Sequence, residues 1–480
     1  MCMILETAVQ GDKLTQSLES ESLLIGADHS QKVKAAPIKN DYGSRDCVNL
    51  SPSTAVSRMK RTAAILGAIS LLLVSSCVKN SVTGERELTV ISRTQEVQIG
   101  QNAFQTAQQA QGGPYVVDSD LANYVRQVGH RVARQSARSD LPYEFIIVND
   151  STPNAWTLPG GKIAINRGLL VELQSEAELA AVLGHEIVHA AARHGAKGIE
   201  RGILLQSGII ALGVATQQKQ YNDILVGSAN VGAMLLHTKY GRGHELEADR
   251  YGMIYMAKAG YNPQAAVSLQ ELFLKLSKRK TSWIEGLFAS HPPSEERIVA
   301  NKKTLLEVQG PDCIFDGTDE YAAAIKQLIS QKTAYQAYDD GVTALSEKSY
   351  KKAANLAEKS LEQFPDEALF WHLKGQTELY QRKPKLALSS FSEAIARNPN
   401  YFDFYLKRAE AKNLLGDYSG ARADAKKSND LLPTGEANEL LGRLWLKCKN
   451  PEKAYAHFAI AAHADSPAGE RARYYLKKLN

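Results

Sequence analysis

Two histidines one helical turn apart, with a glutamate beside the first, have the spacing of a zinc-dependent hydrolytic site. His185 and His189 frame this run, and Glu186 follows the first histidine. Ser175 and Glu178 have the capping-box spacing that predicts a helix beginning just upstream. Positions i and i+4 share a helix face, so both imidazoles can bind one zinc ion. Glu186 lies about 100° farther round the helix, where it can serve as general base for the attacking water. The alternative is a surface helix that binds no metal.

A third protein ligand is predicted downstream, because a catalytic zinc keeps three protein ligands and leaves the fourth position for water. Glu245 and Asp249 are four residues apart on a second predicted helix, which ends near Gly260. Glu245 suits the third ligand, and Asp249 suits the acceptor that fixes the free N–H of a ligand histidine. Glu247 faces elsewhere and is the poorer candidate. The alternative is a solvated acidic face. We therefore expect one Zn²⁺ per chain.

A 34-residue period organises the C-terminal part of the chain. The residues that recur at this distance are Pro365, Pro399, Pro433 and Pro467, then Ala353, Ala387 and Ala421, and also Gly341 and Gly375. Small residues where helices cross, with a proline after the second helix, resemble the tetratricopeptide repeat. We expect four units over 334–469 and a capping helix at 470–480. Such a solenoid presents a curved surface for peptides or partner proteins, and the alternative is an appendage that only stabilises the protein.

The segment 59–77 has the pattern of a bacterial lipoprotein signal: a basic start, a short apolar core, and small residues before Cys77. Cys77 is expected to become the lipidated first residue, so that acyl chains hold the protein at a membrane. Val78 stands where aspartate would retain a lipoprotein at the inner membrane, which indicates the outer membrane, facing the periplasm. Residues 1–58 are polar and aperiodic, and we expect Met59 to be the true start and 1–58 a non-native, disordered upstream segment. The alternative is a short buried helix with a chance cysteine.

Composition excludes several other classes of protein. The 480 residues are 44% hydrophobic and carry a net charge of only +5 with scattered acidic residues, so nucleic-acid binding has no electrostatic support. The mean hydropathy of −0.29 excludes a polytopic membrane protein.

If Cys77 is lipidated, Cys313 and Cys448 could form a disulfide in the oxidising periplasm or remain separate thiols.

The histidine run, followed some 56 residues later by the acidic run 245–249, resembles the gluzincin-type zinc peptidases of the CAAX prenyl protease and HtpX kind. Residues 81–88 resemble the segment that opens the mature domain in this family, and 154–165 resemble its Asn-Ala…Pro-Gly-Gly strand. The resemblance covers roughly 80–300 for the peptidase and 334–469 for the repeats. An envelope branch of the family carries C-terminal tetratricopeptide repeats in the same order.

This resemblance implies a mainly α fold with a small β-sheet. A zincin-like α+β peptidase domain would occupy 78–330, and an α-solenoid of tetratricopeptide repeats would occupy 331–480. One departure is the run Gly241-Arg242-Gly243, where the family usually has serine before the arginine. We expect zinc binding to tolerate it.

The Pro-Gly-Gly segment is also a candidate substrate-binding strand. Its two glycines predict a tight turn, and the residues after them alternate as a strand. In gluzincin-like sites an edge strand pairs with extended substrate through backbone hydrogen bonds. The substrate-binding residues would then be Gly160, Gly161, Lys162, Ile163 and Ala164. The alternative is an ordinary sheet strand.

His291 lies in a Ser-His-Pro-Pro segment that resembles the family's, and two catalytic roles are open to it. It could be a fourth zinc ligand that displaces water in a resting enzyme, or it could donate a hydrogen bond to the transition-state oxyanion. The alternative is a loop histidine without a role. Arg297 nearby could support the oxyanion or form a surface ion pair.

Together these features predict a zinc metalloendopeptidase that hydrolyses misfolded or misassembled envelope polypeptides. The resemblance implies outer-membrane protein quality control, with repeats that dock substrate or the outer-membrane beta-barrel assembly machinery. A competing hypothesis is a chaperone or adaptor lipoprotein that acts through its repeats and has a structural zinc site. Glu186 argues against that hypothesis, because a structural site needs no base.

Overall fold

The computed structural model describes residues 77–211, 240–277, 290–308 and 314–479, which all belong to one compact unit, Ser76–Asn480. The predictions about 1–58 and about the signal before Cys77 lie outside these ranges. None of the helices within them has the length and apolarity needed to cross a membrane.

The N-terminal half is mainly helical. Its helices are α1 (Arg93–Ala110), α2 (Ser119–Ala133), α3 (Arg167–Leu170), α4 (Glu176–Ala191), α5 (His194–Ala211), α6 (Arg242–Lys258), α7 (Gln264–Ser277), α8 (Glu295–Val308), α9 (Thr318–Ala324) and α10 (Lys326–Ser330). The expected mainly α fold with a small sheet is confirmed.

Two small sheets accompany these helices. The strands are β1 (Cys77–Lys79), β2 (Arg86–Leu88), β3 (Glu144–Val148), β4 (Ala155–Leu158) and β5 (Lys162–Asn166). β1 and β2 form an antiparallel pair. The second sheet has the order β3-β5-β4, in which β5 is parallel to β3 and antiparallel to β4.

The predicted substrate strand is therefore not an edge strand. Gly160 and Gly161 do make a tight turn, with φ of +78° and +85°. The strand after them is β5, the middle of the sheet, and β3 and β4 use the hydrogen bonds on both of its sides. Lys162, Ile163 and Ala164 therefore have both backbone sides paired within the sheet, whereas Gly160 and Gly161 lie in the turn before it. Substrate binding by this segment stays a prediction.

Helices α4 and α6 cross at two glycines, and this crossing positions the site. A Cβ on Gly252 would lie 2.9 Å from the backbone nitrogen of His185, and one on Gly184 would lie 3.1 Å from the carbonyl oxygen of Gly252. Only residues without a side chain allow backbones to approach so closely. The residues just before Gly252 on α6 are thereby held against the residues just after Gly184 on α4.

The C-terminal half consists of helix pairs. They are α11 (Lys332–Ser346) with α12 (Tyr350–Gln363), α13 (Ala368–Tyr380) with α14 (Pro384–Arg397), α15 (Phe402–Leu414) with α16 (Tyr418–Leu431), and α17 (Gly435–Lys447) with α18 (Pro451–Ala461), followed by α19 (Pro467–Leu479). The four repeat units and the capping helix are confirmed, and the cap begins at Pro467 rather than at 470.

The repeats pack directly on the N-terminal half through buried polar contacts. Gln109 donates to the carbonyl oxygen of Asn400 at 2.6 Å and accepts from the backbone nitrogen of Phe402 at 2.8 Å. Asn149 donates to both carboxylate oxygens of Glu367 at 3.1 Å. Such paired contacts fix the repeats in one position on the peptidase region.

Candidate metal centre

Four buried side chains converge where α4 and α6 cross. His185, His189, Glu245 and His291 each offer one ligand atom, and these atoms all lie within 4.8 Å of one another. His185 Nε2 lies 3.0 Å from His189 Nε2 and 3.5 Å from Glu245 Oε2. Four ligands at about 2.0–2.1 Å from a tetrahedral zinc lie about 3.3 Å apart. The observed spacing fits such an ion.

Each predicted ligand comes from the element expected to present it. His185 and His189 are one turn apart on α4, and Glu245 lies in the first turn of α6. His291 precedes the prolines that lead into α8, and its Nδ1 lies 3.2 Å from both His185 Nε2 and Glu245 Oε1. Its ring therefore enters the cluster.

Asp249 lies behind His185, where the sequence predicts it. Its Oδ1 is 2.9 Å from His185 Nδ1, so the carboxylate can hold the ring with Nε2 toward the other ligands. Arg297 donates to both Asp249 oxygens at 2.7 Å and lies 3.0 Å from Glu245. Arg297 is only 4% exposed, so the interpretation that it forms a surface ion pair is wrong. Its guanidinium braces the acidic residues of α6 and also donates to the carbonyl oxygen of Pro292.

Glu186 stands beside the four-ligand group. It is buried, and Thr157 of β4 donates its hydroxyl to Glu186 Oε2 at 2.7 Å. The other carboxylate oxygen, Oε1, lies 3.6 Å from His291 Nε2. One oxygen is thus held while the other faces the site, which suits a base that must keep one orientation.

Burial and the acidic residues act in opposite directions on the two histidines of α4. Burial alone would lower the pKa of His185, but Glu245 and Asp249 outweigh it and raise the pKa to about 10. Burial would raise the pKa of Glu245, but His291 and His185 hold that pKa far below its usual range. Burial keeps the pKa of His189 well below 6.5, so its ring is neutral, as a metal ligand must be.

Comparison with known proteins agrees with this geometry. The sequence profile of peptidase family M48 matches residues 119–305, which include all four converging side chains. Residues 119–305 are thus similar to the M48 peptidases. The chain therefore carries a metalloendopeptidase, as the sequence predicts.

Several relatives span different shares of the chain. The beta-barrel assembly-enhancing protease of Escherichia coli is 26% identical over 394 residues, which are 73% of this chain and 78% of that one. A relative from Vibrio cholerae is 30% identical over 199 residues, 40% of each chain. The mitochondrial metalloendopeptidase OMA1 of Schizosaccharomyces pombe is 31% identical over 233 residues, 48% of this chain and 66% of that one. A repeat protein from Thermus thermophilus is 18% identical, with a TM-score of 0.29, over 43% of this chain and 97% of its own.

A pocket lies beside the converging ligands. Glu186 and His291 line it, together with apolar residues of α4, α6 and α7. Two buried amide oxygens, from Gln270 and Asn301, lie in its wall without a hydrogen-bond partner.

Two residues of the site could not be predicted from the sequence. Thr157 has no distinctive spacing from Glu186, and only the packing of β4 beside α4 brings them together. His194 follows His189 by five residues, which no helical face would bring together, yet their Nδ1 atoms are 2.8 Å apart. Both contacts depend on tertiary structure.

Proposed function

We propose that this chain is a zinc endopeptidase holding one Zn²⁺ per chain through His185, His189 and Glu245. The observation that carries the proposal is the convergence of these ligand atoms within 4.8 Å, with a carboxylate beside them that is not needed as a ligand. A purely structural zinc site does not need a general base such as Glu186, so the geometry does not support the chaperone or adaptor hypothesis.

Zinc at this site would supply Lewis acidity that activates water and polarises the peptide carbonyl. Glu186 accepts the proton of the attacking water at Oε1, because Thr157 occupies Oε2. It then passes the proton to the leaving amine as the C–N bond breaks. Asp249 keeps His185 in the tautomer that points Nε2 toward the metal.

His291 fits the role of a fourth ligand in a resting enzyme. Its Nδ1, not its Nε2, lies among the other ligand atoms. Arg297 donates to the carbonyl oxygen of Pro292, the next residue, and so ties this segment to the acidic residues of α6. With His291 as a fourth ligand, activation would require its side chain to withdraw from the other three ligands, so that water could take its place.

The substrates we propose are misfolded or misassembled envelope proteins, in outer-membrane protein quality control. The similarity to beta-barrel assembly-enhancing proteases over 73% of the chain supports this, as do the repeats packed on the peptidase region. The repeats would dock unfolded substrate or the beta-barrel assembly machinery. Lipid on Cys77 would anchor the protein at the periplasmic face of the outer membrane.

One comparison tests the catalytic proposal. The purified protein should contain about one zinc per chain and cleave an unfolded protein substrate until a chelator is added. Glu186→Gln should lower the cleavage rate by at least about 100-fold while zinc stays bound, because the base is lost and the ligands are not. Glu271→Gln, at an exposed ion pair, is the control and should leave the rate unchanged.

His291→Ala separates the two roles of that residue. Loss of a resting fourth ligand should raise the cleavage rate, whereas loss of an oxyanion donor should lower it about 100-fold.

Equal rates for the wild type and Glu186→Gln would exclude Glu186 as the base.

A further inference from the structure

A third histidine stands behind the zinc-facing pair. His194 is 1% exposed, and its Nδ1 lies 2.8 Å from the Nδ1 of His189. Its other nitrogen, Nε2, faces Glu247 Oε1 at 3.4 Å, and both of these buried atoms lack a closer partner. His194 therefore bridges a predicted ligand and a carboxylate that the site does not otherwise use.

A break between two helices creates this contact. In an unbroken helix, residue 194 would lie about 140° round from residue 189 and face another direction. Arg193 instead adopts φ of +62°, which ends α4 and turns the chain back so that α5 begins at His194. The Arg193 guanidinium contacts Glu96 and Glu200, at 3.2 and 3.1 Å, and these ion pairs hold the unusual backbone.

The hydrogen-bond directions follow from the role of His189. Its Nε2 faces His185 Nε2 and Glu245 Oε1, so that nitrogen must carry no proton if it is to bind metal. The proton is then on Nδ1, which donates to His194 Nδ1. His194 Nδ1 is therefore an acceptor, and its own proton is on Nε2, the atom that lies 3.4 Å from Glu247 Oε1.

We propose that His194 and Glu247 are positioning residues that fix the tautomer and orientation of His189 in the metal centre. The inference rests on the proposed zinc site. Asp249 does the same for His185 directly, so each ligand imidazole is backed by a carboxylate of α6, one by contact and one through a histidine. Partners of this kind commonly change metal affinity by 10–100-fold.

Zinc affinity, measured by competition with a chromophoric chelator on the full protein, tests this proposal. His194→Leu removes the acceptor, and we expect it to weaken zinc binding about 10–100-fold. His194→Asn keeps an amide oxygen close to the position of Nδ1, and we expect an affinity within about threefold of the wild type. Glu247→Ala, at a half-buried position, should weaken binding by about threefold to tenfold. If His194 only filled space, asparagine would not restore zinc affinity better than leucine.

His244 supplies the matched control, because it stacks on His194 at 4.1 Å between ring centres without joining the hydrogen-bonded chain. His244→Phe keeps the stack and should leave zinc affinity unchanged. His185→Ala should abolish binding, and its failure to do so would overturn the zinc site itself rather than this inference. Equal affinities for the leucine and asparagine variants, or wild-type affinity in Glu247→Ala, would overturn the positioning role.

Discussion

Three acidic residues of α6 have three different partners, although they lie within five positions of one another. Glu245 faces the ligand cluster, Glu247 faces His194, and Asp249 faces His185. Residues 245 and 249 share a helix face, whereas 247 is rotated by about 200°. It still reaches the site, because α5 turns back after α4 and carries His194 to that side. A single acidic helix can therefore support both ligand histidines.

Thr157 provides a prediction at the scale of one hydroxyl. Thr157→Val keeps the shape of the side chain but removes the donor to Glu186 Oε2, leaving a buried carboxylate oxygen unpaired. Hydrogen bonds to charged groups contribute about 1.5–3 kcal/mol, so we expect kcat/KM to fall roughly 10–100-fold. Zinc content should not change, because Thr157 contacts no ligand of the proposed metal.

The control for this variant is Thr157→Ser, which retains the hydroxyl. Its kcat/KM should stay much closer to that of the wild type. If valine and serine reduce activity equally, the lost methyl packing and not the hydrogen bond is responsible, and Thr157 does not orient the base.

The sequence reveals those site residues whose proximity a single helix encodes. His185 with His189, and Glu245 with Asp249, are each one turn apart, so spacing alone predicts that each pair shares a face. Thr157 depends on how β4 packs beside α4. The place of the predicted substrate strand in the sheet is hidden for a related reason, since local alternation predicts a strand but not its neighbours.

At the scale of elements, the repeats reuse one left-handed residue between the two helices of each pair. The residues and their φ values are Lys348 at +61°, Arg382 at +61°, Gly416 at +84° and Lys449 at +55°. The period of 34 residues predicts the helices and their loops, but only one of the four positions is a glycine. The left-handed backbone conformation at the other three positions therefore cannot be predicted from their residue types.

Gly416→Ala measures the cost of that backbone conformation. A Cβ at Gly416 would meet nothing within 4 Å, so only the left-handed φ opposes it. We expect the free energy of unfolding to fall by about 1 kcal/mol, measured by denaturant titration. Arg382→Ala is the matched control, because arginine already has a Cβ in this conformation, and it should change stability by less than about 0.5 kcal/mol. Equal effects would show that the loop conformation is not the cause.

At the scale of the whole molecule, the peptidase region and the repeats form one unit rather than two independent bodies. Ser151 donates to Asp339 across 188 residues of sequence, and Asn149 donates to Glu367 across 218. No local sequence pattern predicts contacts between residues so far apart in the chain. The sequence therefore predicts the peptidase region and the repeats, but not the interface between them. The boundary proposed near 330 stays a prediction.

Asp339 makes this interface sensitive to pH. Burial and the nearby Asp150 raise the pKa of Asp339, against the opposing effects of Arg167 and Ser151, from 3.8 to about 6. Because the folded pKa is above the unfolded one, the native state binds this proton more tightly. The contribution of Asp339 to stability is therefore most favourable below about pH 4 and is lost as pH rises through 6.

Asp339→Asn should prevent the loss of stability that accompanies ionisation of Asp339. The asparagine amide oxygen can still accept from Ser151 Oγ, and the side chain carries no charge at neutral pH. We expect the variant to be more stable than the wild type at pH 7.5 by on the order of 2 kcal/mol, and the difference to shrink toward pH 4.5. Thermal unfolding of both proteins at several pH values measures it, since other titrating groups cancel in the difference. Asp319→Asn, at an exposed position that is not among the groups acting on Asp339, should show no such pH-dependent gain. A difference that grows as pH falls would mean that the ionised carboxylate stabilises the contact between the repeats and the peptidase region.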